Sequence, residues 1–262
     1  MSYTSDFRSA PFALFGVNGG NTSSDISLAT LVGASFQSED GREFTLIQNA
    51  GTALAAGLLV QSPAFVANHI DCNAATASTG ATSITVTLGA TSVVANQYAG
   101  GFATVEEGTG IGQMYKISSH PSATASGTLA LTLEDPISTN LVSVTSKVSL
   151  TLNPYGTLNG TDYTTFGCIP CPTGVGGITG QVIGATLYPI AASTATVPSY
   201  GWIITKGLAP LLSDGGGTAG LGVMNGTTTV GAVSTVVSPV GAIGQNYNTA
   251  VNTKVGLVNI NL

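Results

Sequence analysis

Two short spacings in the chain carry residues able to hold a metal. His69-Ile70-Asp71-Cys72 is a His-x-x-Cys pair and Cys168-Ile169-Pro170-Cys171 is a Cys-x-x-Cys pair. Tetrahedral zinc accepts three thiolates and one imidazole. His69, Cys72, Cys168 and Cys171 would therefore form a structural zinc site if the fold joined the two segments. The alternative is that Cys72 is a small buried hydrophobe, with Cys168 and Cys171 as free thiols in a loop. A thioredoxin-type role for the Cys pair lacks the βαβ context it needs. His120, which precedes Pro121, reads as a turn residue. Three cysteines in 262 residues make no disulfide framework. Beyond this candidate zinc set the reading assigns no metal and no other cofactor.

The remaining reactive residue types form no catalytic constellation. Glu39-Asp40, Glu106-Glu107 and Glu134-Asp135 are the acid pairs. A glycosidase needs two carboxylates facing each other across a sugar, whereas neighbours on a strand point to opposite faces. These acids read as solvated turn residues, and Glu106 and Glu107 lack the spacing of a calcium loop. Gly-x-Ser-x-Gly is absent, so no nucleophile elbow is present. Gly108-Thr109-Gly110-Ile111-Gly112 lacks the Lys-Ser/Thr ending of a phosphate loop and leads into a strand, not a helix. The expectation is a protein that is not an enzyme.

The elements that would position these residues are strands. Ser83–Leu88, Gln113–Ser118, Thr128–Leu133 and Lys147–Leu152 alternate apolar and polar residues, the signature of half-buried antiparallel strands. The stretch from Asn96 to Val105 adds another candidate. Glu39-Asp40-Gly41-Arg42 supplies an Asp-Gly hairpin turn into Glu43–Ile47. Ala53–Ala56 reads as one helical turn. Ser62-Pro63 reads as an N-cap followed by proline at the first helical position, opening a second turn through Asn68. Asn73–Gly80 reads as a linker, and Gly167–Gly180 as a glycine- and proline-rich loop. Further strands are expected at Val182–Leu187, Tyr200–Lys206 and Thr227–Val237. Val255–Leu262 completes the set, with a bulge or two-sided burial where Leu257, Ile260 and Leu262 break the alternation. Trp202 is expected as a core anchor.

The fold class is thus all-β, an antiparallel barrel or sandwich with an extended N-terminal arm and very little helix. Residues 1–35 read as the arm, 36–72 with 173–262 as a discontinuous β-rich base, and 73–172 as a central barrel or sandwich. Charged residues are 7% of the chain and hydrophobic ones 43%. A surface so poor in charge leaves its strand edges unprotected, so covering by other subunits is expected. The formal net charge is −6, and the six Lys and Arg are scattered singly, which disfavours a nucleic-acid partner. No eighteen-residue apolar run suggests a membrane span, and the N-terminus shows no secretory signal, so synthesis in a cytoplasm is expected. Tyr3, Phe7, Phe12 and Phe15 punctuate the arm. Aromatics spaced along an extended segment suit anchoring in a partner's pockets, the alternative being an arm folded back on its own domain.

Several stretches resemble capsid decoration (cement) proteins of tailed bacteriophages. They are Asp40–Phe44 running into Asn49–Gly57, Gln61–Ala64, Asn96–Gly101, Tyr115–Pro121, Leu133–Pro136, Tyr200–Gly207 and the closing Val-rich strand, spread over residues 36–262. The resemblance implies a non-enzymatic virion protein made in the host cytoplasm and bound to the outer surface of an icosahedral head. It would contact the major capsid protein, tie neighbouring capsomers together and self-associate, as a trimer or else a dimer. The rival readings are another virion part, such as a tail, fibre or host-adhesion protein, and a polysaccharide depolymerase.

Overall fold

The computed structural model describes residues 22–23, 26–157, 162–174, 179–236 and 242–262. In chain order the first strands are β1 (Thr22–Ser23), β2 (Ser35–Gln37), β3 (Glu43–Asn49) and β4 (Leu59–Gln61). Next come β5 (Cys72–Ala74), β6 (Ser83–Thr87), β7 (Phe102–Glu107), β8 (Met114–Ser119), β9 (Thr128–Leu133) and β10 (Lys147–Thr151). The last are β11 (Ile169–Pro170), β12 (Val182–Thr186), β13 (Ser199–Leu212), β14 (Gly222–Asn225), β15 (Val233–Val236), β16 (Gly244–Asn246) and β17 (Val255–Asn261). The helical segments among the described residues are two 3-10 stretches, Ile26–Leu31 and Ala67–His69. The chain is all-β and its strand ladders are antiparallel, as the alternation requires.

Two compact units result. One comprises residues 64–153 and 157–162, the other 1–63, 154–156 and 163–262. These borders differ from those expected because short strands fall where linkers were read. Cys72–Ala74, overlapping the start of the expected linker, pairs with both β6 and β10. Ile169–Pro170, inside the expected loop, pairs with β4.

The first unit is a closed barrel in the order β10-β5-β6-β9-β8-β7, with β7 pairing back to β10. Ile84 and Val86 alternate inward along β6, and Leu129, Leu131 and Leu133 along β9. Ala103, Val105, Tyr115, Ile117, Val148 and Leu150 complete the filling. Burying each large aliphatic chain contributes about 1.5–3 kcal/mol, and a narrow barrel filled this way is a core rather than a channel. Gly101 is required by close approach: a Cβ there would stand 2.1 Å from the Thr151 carbonyl oxygen.

The second unit is built on β13, whose 14 residues serve two sets of partners. Residues 199–206 pair with β3, and 206–212 with β17. The sheet continues as β17-β16-β14-β15 in one direction and through β12, β4 and β11 in the other. A register shift between Ile204 and Lys206, with Gly207 at φ +94°, offsets the two halves. Ala209 and Leu211 thereby join Ile204 in one core cluster with Phe44, Val258 and Ile260. Ile203 packs in another cluster with Ile47, Leu54, Val60 and Ile190. Pro210 is why the strand looked shorter from sequence. The Leu212 N–H bonds Gly57 O, away from β17, and alternate residues of a strand aim their N–H groups alike. The donor that Pro210 lacks would point the same way, so the β17 ladder survives it.

Several local expectations are corrected. Leu54 makes a β-bridge to Ile190 instead of a helical turn. Ser62 caps no helix: its Oγ accepts the Gln181 N–H at 2.8 Å, and the helical turn starts later, at Ala67. Along β17, Gly256, Val258 and Ile260 are buried and Leu257 faces outward, and its pairing with β13 has no bulge. The arm is shorter than 35 residues. Leu28, Ala29 and Val32 are buried, and the Gly33 N–H bonds Leu46 O. Tyr3, Phe7, Phe12 and Phe15 lie outside the described residues.

Candidate functional site

Both histidines of the chain meet on Tyr98 in the barrel unit. His69 Nε2 lies 3.0 Å from Thr91 O and Nδ1 lies 2.5 Å from Tyr98 Oη. A carbonyl only accepts, so Nε2 carries the hydrogen and Nδ1 accepts from the phenol. The Tyr98 N–H donates to His120 Nε2 at 2.9 Å, and His120 Nδ1 donates to Pro121 O at 2.8 Å. The His120 N–H in turn reaches Asn96 Oδ1 at 3.0 Å. His120 is thereby fixed as a neutral tautomer, and all four ring nitrogens of the two imidazoles are occupied. Burial pushes the Tyr98 phenol up and the His120 imidazole down. His69, Tyr98 and His120 are all buried. These hydrogen bonds lock the 90–101 loop to the barrel. His120 is thus partnered as well as next to a turn, and nothing local in the sequence signals its contact with Tyr98.

The candidate zinc set, His69, Cys72, Cys168 and Cys171, is not among any group able to hold a metal. Among the described residues no group of three or more His, Cys, Asp or Glu could hold a metal. Cys72 is buried in β5 of the barrel, where desolvation raises its thiol. Cys168 and Cys171 flank β11 in extended backbone, and three-residue spacing on a strand sends side chains to opposite faces. Cys168 accordingly packs with Ile47, Leu54 and Ile203. Cys171 packs with Phe44, Leu59 and Ile204. Burial pushes the Cys171 thiol up to about 12 and that of Cys168 higher still. They are core residues, not thiols in a loop.

The acid pairs are dispersed. Asp40 pairs with Arg42 at 2.6 Å, and its carboxyl is held low chiefly by the Ser38 hydroxyl. Glu134 pairs with Lys116 at 3.1 Å. Glu106 and Glu107 close β7 in solvent. Gly108, Gly110 and Gly112 all have positive φ and turn the chain directly into β8.

What the surface does offer is apolar. In the barrel unit the 108–113 and 139–146 loops lie side by side. Ser146 Oγ donates to Thr109 O at 2.8 Å, and Gln113 Nε2 donates to Thr139 Oγ1 at 2.7 Å. This end of the barrel exposes Ile111, Met114, Val142 and Val144. Val144 is 70% exposed and holds φ +71°. A β-branched residue in the left-handed region is strained, at a cost of roughly 1–2 kcal/mol. In the other unit Leu187, Leu208, Pro210 and Leu257 line a groove of about 360 Å³, rimmed by Asp40 and Arg42. None of these outward side chains was distinguished from core residues by the sequence.

No family model matches the chain, and no curated protein or solved structure matches it.

Proposed function

We propose that the chain is a structural virion protein that binds the outer surface of an icosahedral phage head and cements neighbouring capsomers. In this reading it is not an enzyme. It works by adding interface to the shell, on the order of 2,000 Å² or more for each copy.

The observation that carries the reading is the barrel end bearing Ile111, Met114, Val142 and Val144. Ile111, Val142 and Val144 on two adjoining loops, the last of them strained, and Met114 at the start of β8 are exposed and serve no purpose in the barrel's own core. Exposed apolar groupings of this kind mark contact sites, and local strain concentrates where a surface is used. The poverty in charge, 7% of residues, fits a surface meant to be covered. The resemblance of residues 36–262 to decoration proteins names the partner: the major capsid protein, with copies of the chain as trimers or dimers. The arm with Tyr3, Phe7, Phe12 and Phe15 supplies a second contact.

The test is to purify the parent particles, count copies of the chain in each, and locate it by cryo-electron microscopy. The expected result is hundreds of copies on the outside of the head. A handful of copies at the tail would make it a tail or fibre protein, and absence from the particle would overturn the reading.

A further inference from the structure

We infer that two copies of the chain pair through the outer face of β13, β17 and β16, each Tyr247 seating in the apolar groove of the other copy. The inference names the surface behind the self-association proposed above and rests on that reading for its place in the shell. It uses the base unit alone and needs no head.

Register builds the face. Along β17, Gly256, Val258 and Ile260 are buried, so Val255, Leu257 and Asn259 point outward. Their partners on β13 are Leu212, Pro210 and Leu208, between which Ala209 and Leu211 turn into the core. On β16, Asn246 is buried opposite Val258. Tyr247 is therefore next in the outward row, beside Leu257, whose carbonyl accepts its N–H. Tyr247 is 66% exposed, and Leu208, Val255 and Leu257 are exposed with it. The wet face of an antiparallel sheet ordinarily carries polar side chains, so an apolar one marks a contact.

Charge selects a second copy as the occupant. The chain carries −6, and copies repel unless the surfaces that meet are neutral. Here Asp40 and Arg42 on the groove rim pair with each other at 2.6 Å. Lys206 pairs with Glu43 on one edge of β13 and with Asn261 on the other, so β3 and β17 flank opposite edges. Asp40 and Arg42, just before β3, thus lie on the side of β13 away from Tyr247.

A two-fold axis between β13 and β17, parallel to both, satisfies every row. It lays Leu257 of each copy over Pro210 of the other, and Lys206 over a neutral Asn261. It carries Tyr247 past Pro210 to the groove rim. There the ring meets apolar walls and the Arg42 guanidinium, and the phenol O–H can donate to Asp40. The contact is isologous, made twice and closed at two copies. The face spans roughly 20 by 15 Å at strand spacings. That is less than the roughly 800 Å² each partner of a standard interface buries, so pairing in the micromolar range is expected.

The test is sedimentation of the full chain without heads, from about 1 to about 100 μM, where a small interface forms and dissociates. A monomer–dimer equilibrium is expected, weakened about tenfold or more by Tyr247→Ala. Arg42→Ala should weaken it too. Because the two residues sit on opposite sides of β13 within one chain, the double variant should lose little more than Tyr247→Ala alone, the sign of a contact between copies. Leu257→Asn, read in the same way, covers a Tyr247 variant that fails to fold. A parent that stays monomeric, a dimer indifferent to these changes, or growth to trimers and larger species would each overturn the inference. Head binding is measured separately, so failure to pair and failure to bind heads are distinct results.

Discussion

The Tyr98 N–H donates to Nε2 of His120 at 2.9 Å, and this bond exists only while that nitrogen carries no proton. Burial holds the imidazole below its ordinary value. The unfolded chain, in which His120 titrates near 6.5, therefore binds the proton more readily than the folded one. Stability from this source is complete above about pH 6.5 and is lost as pH falls through that value toward the lower folded one. Thermal unfolding between pH 7.5 and 4.5 should show the barrel weakening on acidification. His120→Gln, which cannot be protonated, should flatten that part of the curve. An identical pH dependence in the two proteins would contradict the assignment.

The phenol of Tyr98 is the other half of the arrangement. Tyr98→Phe removes the donor to His69 Nδ1 and leaves a buried acceptor unsatisfied. The expected cost is about 1–3 kcal/mol, read by urea unfolding. Leu131→Ala, which opens a void in the barrel's filling, should cost about 2–5 kcal/mol. A larger loss from Tyr98→Phe than from Leu131→Ala would mean that the cluster does more than close the loop.

Gly101 tests the close packing of the barrel wall. The atoms a side chain would meet are backbone: Thr151 O, Asn153 N and the carbonyl carbon of Leu152. Nothing there can rotate away, so Gly101→Ala should lower the barrel's stability by several kcal/mol, on the scale of severe core overpacking. Gly80, where a Cβ meets nothing within 4 Å but φ is +90°, isolates the backbone term. Gly80→Ala should cost only about 1–2 kcal/mol. Equal effects would place the Gly101 penalty in conformation, not in contact.

Much of the barrel was legible because its strands have one wet face. Thr128–Leu133 alternates without exception, and the strand has those bounds. The base unit was harder to read. Ile203 and Ile204 are both buried, on two different core clusters, so two-sided burial erased the alternation there. Pro210 disguised the second half of β13. In β17 the alternation is regular but hidden, because the apolar Leu257 faces solvent while Gly256, Val258 and Ile260 face inward. The site was least legible. His69 and His120 are 51 positions apart in the chain and meet only because Tyr98 stands between them. Cys168 and Cys171 have the spacing of a zinc knuckle, but an extended backbone parts them.

The cysteines give a prediction that separates core from metal site. Thiols with raised pKa inside apolar clusters are poor nucleophiles and poor ligands. Ellman's reagent at pH 7.5 should leave all three unreacted in the folded protein and titrate three after denaturation. A chelator should leave the melting temperature unchanged. A fall in melting temperature with release of zinc would restore the metal site that the separate packing of Cys168 and Cys171 argues against.

Val144 links stability to the proposed role. Its left-handed backbone is strained for a β-branched side chain, and at 70% exposure the side chain gains little in return from the barrel. Val144→Gly removes the strain and should stabilise the barrel by about 1 kcal/mol, less the extra entropy of glycine in the unfolded chain. The same change deletes an exposed aliphatic group from the end that also carries Ile111 and Met114. If that end is the contact with the head, the variant will be the more stable protein and the weaker binder, and adding Ile111→Ser should weaken binding further without destabilising the fold. Sedimentation of the variants with heads, beside their melting curves, reads both quantities. A variant that gains stability and binds as well as the parent would leave the strain at Val144 without a function and move the contact elsewhere on the molecule.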